Sequence, residues 1–236
     1  MAFNIKTLDF DTHLFGYKVG RIELHNFVKK DLGALKKQVE NEAFRLVYIF
    51  TNDERSKSTL NAAGVTFVGE TRVYINKDLK SHPTITNSIG LYEKCFVSPS
   101  LLKLAYASGA FSRFSNDPHF TGNESLKVFK TWIEKSVRKE IASHIVVYKA
   151  GSREVGLVTC NLIGDCCKIG LMAVHENFRN KNIARGLMQF LAGLMGGQGA
   201  KTITVTTQSK NTAACRLYES LGFNIQATES IFHLWI

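Results

Sequence analysis

The sequence predicts an α/β fold, because apolar runs of strand length alternate with segments whose apolar residues recur at helical spacing. The clearest case lies within residues 167–223. A buried strand is predicted at residues 169–174, followed by a short cationic loop. The loop leads into a helix whose apolar face comprises Ile183, Leu187, Phe190, Leu191 and Leu194.

A second strand and helix follow in the same order. Residues 202–207 are predicted as a strand, residues 211–221 as a helix that opens at Asn211, and residues 231–236 as the final strand after a further strand that begins near Phe223. Gly222 is suited to the left-handed residue that ends many helices. Between residues 91 and 163 the pattern predicts helices at about 98–108 and 124–141, and strands at 145–149 and 155–163.

The loop before the first of these helices carries three cationic side chains. A helix N-terminus offers unpaired N–H groups and the positive end of the helix dipole. Together they indicate an anion site suited to a pyrophosphate, although a solvated helix start would show the same charges. The loop comprises Arg179, Asn180, Lys181, Asn182, Ile183, Ala184 and Arg185.

The composition is that of a globular protein with its own core. The chain has 236 residues, 44% of them hydrophobic, and a net charge of +10 from 30 basic and 20 acidic residues. The charges are spread along the chain, which favours small polyanionic ligands over nucleic acid. The absence of a membrane-length apolar run or a signal-like start predicts a cytoplasmic protein. Five cysteines without C-x-x-C spacing predict reduced thiols and no metal site.

Two motifs then point to a family. R-x-x-x-I-A begins at Arg179, and N-x-x-A-x-x-L-Y-x-x-x-G-F begins at Asn211. In this order and spacing they resemble the GCN5-related N-acetyltransferase (GNAT) superfamily. The resemblance implies a mixed, mostly antiparallel sheet with flanking helices, in which a bulged strand parts from its neighbour. It also implies acetyl-CoA or another acyl-CoA as cofactor.

The resemblance assigns roles to several residues. The pantetheine would contact the main chain of Leu171, Ala173 and Val174, while the cationic loop would hold the pyrophosphate. Asn211 would contact CoA in addition to capping its helix, and Tyr218 would protonate the departing thiolate, although a lone buried tyrosine is more often structural. Asn182 replaces the usual Gly of the family loop, and Asn tolerates left-handed backbone.

The general base is the least defined part of the predicted site. Glu70, on a strand of the first half, is the first candidate. His13, His119 and His175 are alternatives, and the amine could instead lose its proton through a chain of waters.

The first half of the chain shows an internal echo of the second. Residues 51–71 resemble the segment from 207 onward when Gly64 is placed on Gly222, which sets Leu60 opposite Tyr218. We therefore predict a degenerate, GNAT-like α/β domain at residues 1–80 that contributes to the substrate pocket. A linker at 76–90, which contains Pro83, would join it to a catalytic domain at 90–236. Chance similarity between two strand–helix–strand units is the alternative.

Two further stretches narrow the acceptor. F-D-T-x-x-F-G from Phe10, and S-R-F-x-x-D-x-x-F from Ser112 followed by W-I-E-x-x-V, resemble bacterial nucleotide-sugar N-acetyltransferases such as the TDP-fucosamine acetyltransferase family. That resemblance implies acylation of the amine of a dTDP-linked amino-6-deoxy sugar by direct attack in a ternary complex. It also implies a role in the synthesis of surface polysaccharides, and a homodimer. The residues expected near the sugar or nucleotide are Phe10, Asp11, Phe15, Arg113, Phe114 and Asp117, although each Phe could instead belong to the core.

Two other functions stay open at this point. A GNAT enzyme could acetylate a peptide, a protein or another small-molecule amine, because the superfamily does not fix the substrate. The fold could also serve a non-catalytic sensor that binds acyl-CoA.

Overall fold

The structure is a computed structural model that describes residues 2–78 and 88–236. Most of the predicted linker, including Pro83, therefore lies outside the described residues.

Helices alternate with strands in the first and last thirds of the described chain, whereas three helices and then three strands follow one another in the middle. The strands are β1 (Lys6–Thr7), β2 (Val19–Glu23), β3 (Leu46–Thr51), β4 (Thr66–Asn76), β5 (Ile89–Leu91), β6 (His144–Ala150), β7 (Arg153–Ile163), β8 (Cys166–Val174), β9 (Thr202–Gln208) and β10 (Asn224–Trp235). The helices are α1 (Asp9–Phe15), α2 (Asp31–Asn41), α3 (Glu54–Ala62), α4 (Pro99–Ser108), α5 (Arg113–Asn116), α6 (Glu124–Val137), α7 (Ile183–Gly197) and α8 (Thr212–Ser220).

All ten described strands join one sheet in the order β1-β2-β3-β10-β4-β9-β8-β7-β6-β5. The β2–β3 and β8–β9 pairs are parallel, and the other neighbours are antiparallel. The predicted mixed, mostly antiparallel sheet is thus confirmed. One face carries α4, α5 and α6, and the other carries α7 and α8 toward one end and α2 and α3 toward the other.

The two halves of the chain exchange strands at the centre of the sheet. β10, from the end of the chain, lies between β3 and β4, and β4 in turn lies between β10 and β9. The sheet is therefore continuous across the predicted domain boundary. The proposal that residues 1–80 form a degenerate GNAT-like domain stays a prediction.

The echo in the sequence corresponds to similar local structure. α3 and α8 begin and end at positions shifted by the same 158 residues, since Glu54–Ala62 becomes Thr212–Ser220. Each helix is capped by a side chain that accepts the N–H three residues on, at Asp53 and at Asn211. Each is followed by a left-handed glycine, Gly64 with φ 68° and Gly222 with φ 80°.

Three parts of the sequence-based prediction need correction, and one element was not predicted. The latter is α1 at residues 9–15, whose seven residues are too few to display a helical period. The short strand β5 lies at the end of the predicted linker. The helix predicted to reach residue 141 ends at Val137, because the chain turns through a left-handed Lys139. The two strands expected after residue 223 are one continuous strand, β10.

Candidate active site

Strands β8 and β9 part toward their carboxyl ends. Within the described residues their parallel pairing covers Cys166–Ile169 with Thr202–Val205, although β8 continues to Val174 and β9 to Gln208. β8 also shifts register against β7 beyond Ile169, which places a bulge at Gly170 and Leu171. The result is an opening between two strand edges whose N–H and C=O groups are not paired with each other, the arrangement expected from the motif strand.

Thr159 on β7 fixes the bulge. Its Oγ1 accepts the N–H of Leu171 at 2.8 Å and lies 2.8 Å from where a Cβ on Gly170 would be, so a side chain there would collide with it. The N–H of Leu171 therefore points at β7 in this structure, and the carbonyl of Val174 accepts from Arg179 Nε at 3.3 Å. The roles assigned to Leu171, Ala173 and Val174 stay predictions.

The cationic loop turns through two left-handed asparagines, Asn180 with φ 60° and Asn182 with φ 56°. Asn182 is the N-cap of α7, and its side chain makes no capping hydrogen bond. The first-turn N–H groups of α7, which have no intrahelical partner, are thus not covered by their own cap residue. An Asn in the place of the family Gly therefore keeps the loop conformation and leaves the helix N-terminus open to an anion.

The three cations of the loop make different contacts. Arg179 and Lys181 are exposed, and Lys181 lies over the ring of Phe178 with its Nζ 5.1 Å from the centroid. Arg185 is half-buried and donates to Ser220 Oγ at 2.8 Å. It lines a cavity of about 340 Å³ between α7 and the end of α8.

Tyr218 on α8 is directed at the unpaired part of β8. Its side chain is buried, with the residue 3% exposed, and its hydroxyl lies 3.5 Å from the Sδ of Met172. Burial, with Cys215 and Tyr74 beside it, raises the pKa of Tyr218 above its usual value, so the phenol is protonated near neutral pH. A thioether is a weak acceptor, and a thiolate formed in the opening would be a much better one.

Glu70 lies on β4, and its side chain is held next to the end of the neighbouring strand β9. Its carboxylate accepts from Ser209 Oγ at 2.9 Å and lies 3.8 Å from Lys57 Nζ of α3. Among the alternative bases, His119 is bonded to Asp117 at 2.8 Å, and His175 contacts Arg153 at 2.9 Å. His13 is exposed on α1. The identity of the base stays a prediction.

Comparison with known proteins agrees with this geometry. The sequence model described as "Acetyltransferase (GNAT) family" matches residues 110–223, which include the bulged strand, the cationic loop and Tyr218. Residues 110–223 are therefore similar to acetyltransferases of the GNAT family.

Two relatives are each 31% identical to this chain over the residues that align. One is the spore coat polysaccharide biosynthesis protein SpsD of Bacillus subtilis, aligned over 136 residues that make up 58% of this chain and 47% of that protein. The other is the dTDP-fucosamine acetyltransferase of Escherichia coli O6:H1, aligned over 132 residues, 55% of this chain and 56% of that protein. The chain thus spans about half the length of these relatives.

Solved structures share the fold at low identity. A functionally unknown conserved protein from Staphylococcus epidermidis matches with a TM-score of 0.64 and 15% identity, over 94% of this chain and 87% of that one. A GCN5-related N-acetyltransferase from Sphaerobacter thermophilus matches with a TM-score of 0.59 and 15% identity, over 92% of this chain and 73% of that one. The matches extend beyond the GNAT domain into the first half, and they concern the fold alone.

The residues predicted to bind the acceptor mostly come together on the face that carries α5. The rings of Phe15 and Phe114 lie 6.1 Å apart, and the Arg113 guanidinium lies 4.3 Å from the centroid of Phe114. Asp11 is buried, and burial raises its pKa against the opposing effect of Arg113. Phe10 is apart from this group, since its ring contacts Lys135 of α6. Phe114 is a core residue, with 2% exposure.

Asp117 joins this group to strand β10, which the motifs did not indicate. Its carboxylate bonds His233 Nδ1 at 2.5 Å and Trp235 Nε1 at 2.9 Å. These contacts and those with His119 hold the pKa of Asp117 well below its usual value, despite burial. Burial lowers the pKa of His233 to about 4, so this imidazole is neutral near pH 7. A histidine inside the apolar run that ends the chain was the signal that could have identified it.

No helix in the described part of the chain is long and apolar enough to cross a membrane. Among the same residues, no group of three or more His, Cys, Asp or Glu is placed to hold a metal ion. All five cysteines are free thiols.

Proposed function

We propose that this protein is an acyl-CoA-dependent N-acyltransferase that acts on the amino group of a dTDP-linked amino-6-deoxy sugar. The observation that carries the proposal is the opening between β8 and β9, next to the uncapped, cationic N-terminus of α7. The named functions of the two relatives, dTDP-fucosamine acetylation and spore coat polysaccharide synthesis, support a sugar acceptor in surface-polysaccharide synthesis. A cytoplasmic location and a homodimer stay predictions from the sequence.

The chain's own groups fit an acyl-CoA. Between the parted strands, unpaired main-chain groups can pair with the amides of a pantetheine arm, as an added strand would. The first-turn N–H groups of α7 and the side chains of Arg179, Lys181 and Arg185 suit the pyrophosphate. We expect Asn211, at the start of α8, to add a side-chain contact to CoA. Acyl-CoA supplies the activated thioester for the reaction.

The transfer requires two proton movements. The acceptor nitrogen attacks the thioester carbonyl, and the C–S bond breaks as the C–N bond is completed. Tyr218 donates its phenolic proton to the departing sulfur, because a buried, protonated phenol directed at the opening is already in position. The proton lost by the amine goes to a base, for which Glu70 is our first candidate.

The test is a screen of acceptors with acetyl-CoA. Turnover is measured as the release of free thiol, and the product is identified by its mass. We expect acetylation of dTDP-linked amino-6-deoxy sugars, with weaker turnover of the UDP- and GDP-linked forms. The matched control is the dTDP-6-deoxy sugar that carries a hydroxyl in place of the amine. Acetylation of peptide amines with no turnover of any nucleotide sugar would replace the sugar by a peptide acceptor. CoA binding without turnover of any amine would indicate the sensor.

A further inference from the structure

Four buried side-chain polar atoms lack a hydrogen-bond partner in the part of the chain that the structure describes. They are Tyr48 Oη, Arg113 Nε, Gln208 Oε1 and His233 Nε2. Buried polar groups are nearly always paired, since an unpaired one loses its water without compensation. Several such atoms in one region therefore call for a ligand or for ordered water.

Three of the four atoms belong to one cluster beside α5. Tyr48 on β3 and His233 on β10 are directly opposite in the sheet, and their rings lie 4.7 Å apart. The Arg113 guanidinium, from α5, lies 4.6 Å from the centroid of the Tyr48 ring. Both Tyr48 and His233 are at least 99% buried. The cluster is walled by aromatic rings, those of Phe114, Phe120 and Trp235.

The hydrogen-bonding character of the three atoms is defined. His233 is neutral near pH 7 and its Nδ1 is bonded to the Asp117 carboxylate, so Nδ1 carries the proton and Nε2 is an acceptor. Arg113 Nε is a donor, and the Tyr48 hydroxyl, which lies near the Arg113 guanidinium and feels its charge, keeps its own proton to donate. One acceptor and two donors among aromatic rings match the edge of a pyrimidine imide, in which an N–H lies between two carbonyl groups.

The position of the cluster suits the far end of a long acceptor. Two strands, β4 and β9, separate β10 from β8. His233 on β10 is opposite Thr66 of β4, and Gln208, at the opening, is opposite Thr71 of β4. The two positions therefore differ by five residues along β4. Strand spacing and residue rise then place His233 roughly 20 Å from the opening. An amine that reacts at the opening is therefore too far away to contact the cluster around His233. A nucleotide-linked sugar has its base separated from the amine by a sugar ring, two phosphates and a pentose.

We propose that α5 covers a subsite for the pyrimidine base of the acceptor nucleotide, in which Tyr48, Arg113 and His233 hydrogen-bond the imide edge of the base. The inference rests on the proposed function, because it assumes a nucleotide-linked acceptor. α5 has four residues and is tied to β4 by a hydrogen bond from Asn116 Nδ2 to the Val68 carbonyl at 3.2 Å, so entry of the base requires α5 to move.

Gln208, the fourth residue with an unpaired atom, lies between the opening and this subsite. Its Oε1 is 3.2 Å from where a Cβ on Gly69 would be, and Asn116 Nδ2 is 3.8 Å from the same point. The acceptor would therefore pass beneath α5, with Gln208 and Asn116 near the opening and Arg113 and His233 at the far end.

The test is calorimetric titration of the full chain with dTDP in the presence of saturating CoA, which keeps the diphosphate out of the CoA site. We expect the wild type to bind dTDP and Tyr48→Phe to bind it about tenfold more weakly, the effect of one lost hydrogen bond. The matched control is Tyr17→Phe. Tyr17 belongs to the same group of aromatic side chains, but its hydroxyl is not among the unpaired buried atoms, so this variant should bind dTDP like the wild type. The CoA affinity of both variants should be unchanged.

Thermal unfolding of the free protein separates a role of the Tyr48 hydroxyl in binding dTDP from a role in stabilising the fold. Removing an unpaired buried hydroxyl should leave the midpoint of Tyr48→Phe unchanged or raise it. A lower midpoint would mean that the hydroxyl is already paired in the free protein, which overturns the inference. Equal dTDP affinity of Tyr48→Phe and wild type, with normal acetylation of the dTDP-linked amino sugar, would overturn the subsite and leave the proposed function standing. Failure of the wild type to bind dTDP or to acetylate any nucleotide sugar would remove both.

Discussion

Replacing Tyr218 by Phe removes one hydroxyl and keeps the ring in the core between Tyr74 and Phe223, whose centroids lie 5.6 and 5.7 Å from it. The hydroxyl contacts the thioether of Met172, a weak acceptor, so its loss should cost less than about 1 kcal/mol of unfolding free energy. If the phenol protonates the leaving thiolate, kcat should fall by about 10² to 10⁴-fold, the usual effect of losing a positioned acid.

The assay is release of free thiol from acetyl-CoA at saturating acceptor, with CoA affinity measured separately by calorimetry. We expect CoA affinity to be unchanged, because the hydroxyl acts on the sulfur only as the C–S bond breaks. Tyr74→Phe is the matched control. Its hydroxyl donates to Glu219 at 2.8 Å, so the variant should lose about 1 kcal/mol of stability and keep its kcat. A Tyr218→Phe enzyme with a kcat within about threefold of wild type would refute the acid role.

Three further predictions concern stability and are measured by urea unfolding. Asn182→Ala should lose about 1–2 kcal/mol because Ala is strained at φ 56°, whereas Asn182→Gly should not; equal losses would contradict this. Gly109→Ala should lose more than about 1 kcal/mol because its Cβ would lie 2.2 Å from Phe129, whereas Gly196→Ala, with open space, should gain up to about 1 kcal/mol. His233 titrates near pH 4 when folded and near 6.5 when unfolded, so stability should fall by roughly 3 kcal/mol as pH drops from 6.5 to 4, and a flat profile there would be incompatible with a neutral, buried His233.

The elements that carry the two motifs at Arg179 and Asn211 could be predicted because their signals are local. An apolar run defined β8, helical spacing defined α7, and an Asn start with a Gly stop defined α8. Asn211 does cap its helix, with its Oδ1 3.2 Å from the N–H of Ala214, and Gly222 does adopt a left-handed conformation. Each of these features depends on residues within a few positions of one another, so one sequence contains enough information to place it.

The cluster beside α5, which we propose binds the acceptor, was predicted less completely, since it depends on contacts between distant residues. The motifs pointed to Arg113 and Asp117, but their neighbours Tyr48 and His233 lie in apolar strands that display only a buried-strand pattern. The bond between Asp117 and His233 joins residues 116 positions apart, and no spacing rule connects them. A polar residue inside a buried run indicates that a partner exists without indicating which one.

The strand exchange brings together, from both halves of the chain, the residues that we propose contact the acceptor. β10 carries His233 and Trp235 beside Tyr48 of β3, and β4 carries Glu70 beside Ser209 at the end of β9. If residues 90–236 were separated from residues 1–80, the inner edges of β3, β4, β9 and β10 would lose their partners, and such edges are prone to aggregate. We therefore expect the first half to be required for the sheet that contains the opening between β8 and β9. If one half of the chain binds the cofactor and the other binds the acceptor, the two sites lie on one continuous sheet and are joined by the central β4–β10 pair.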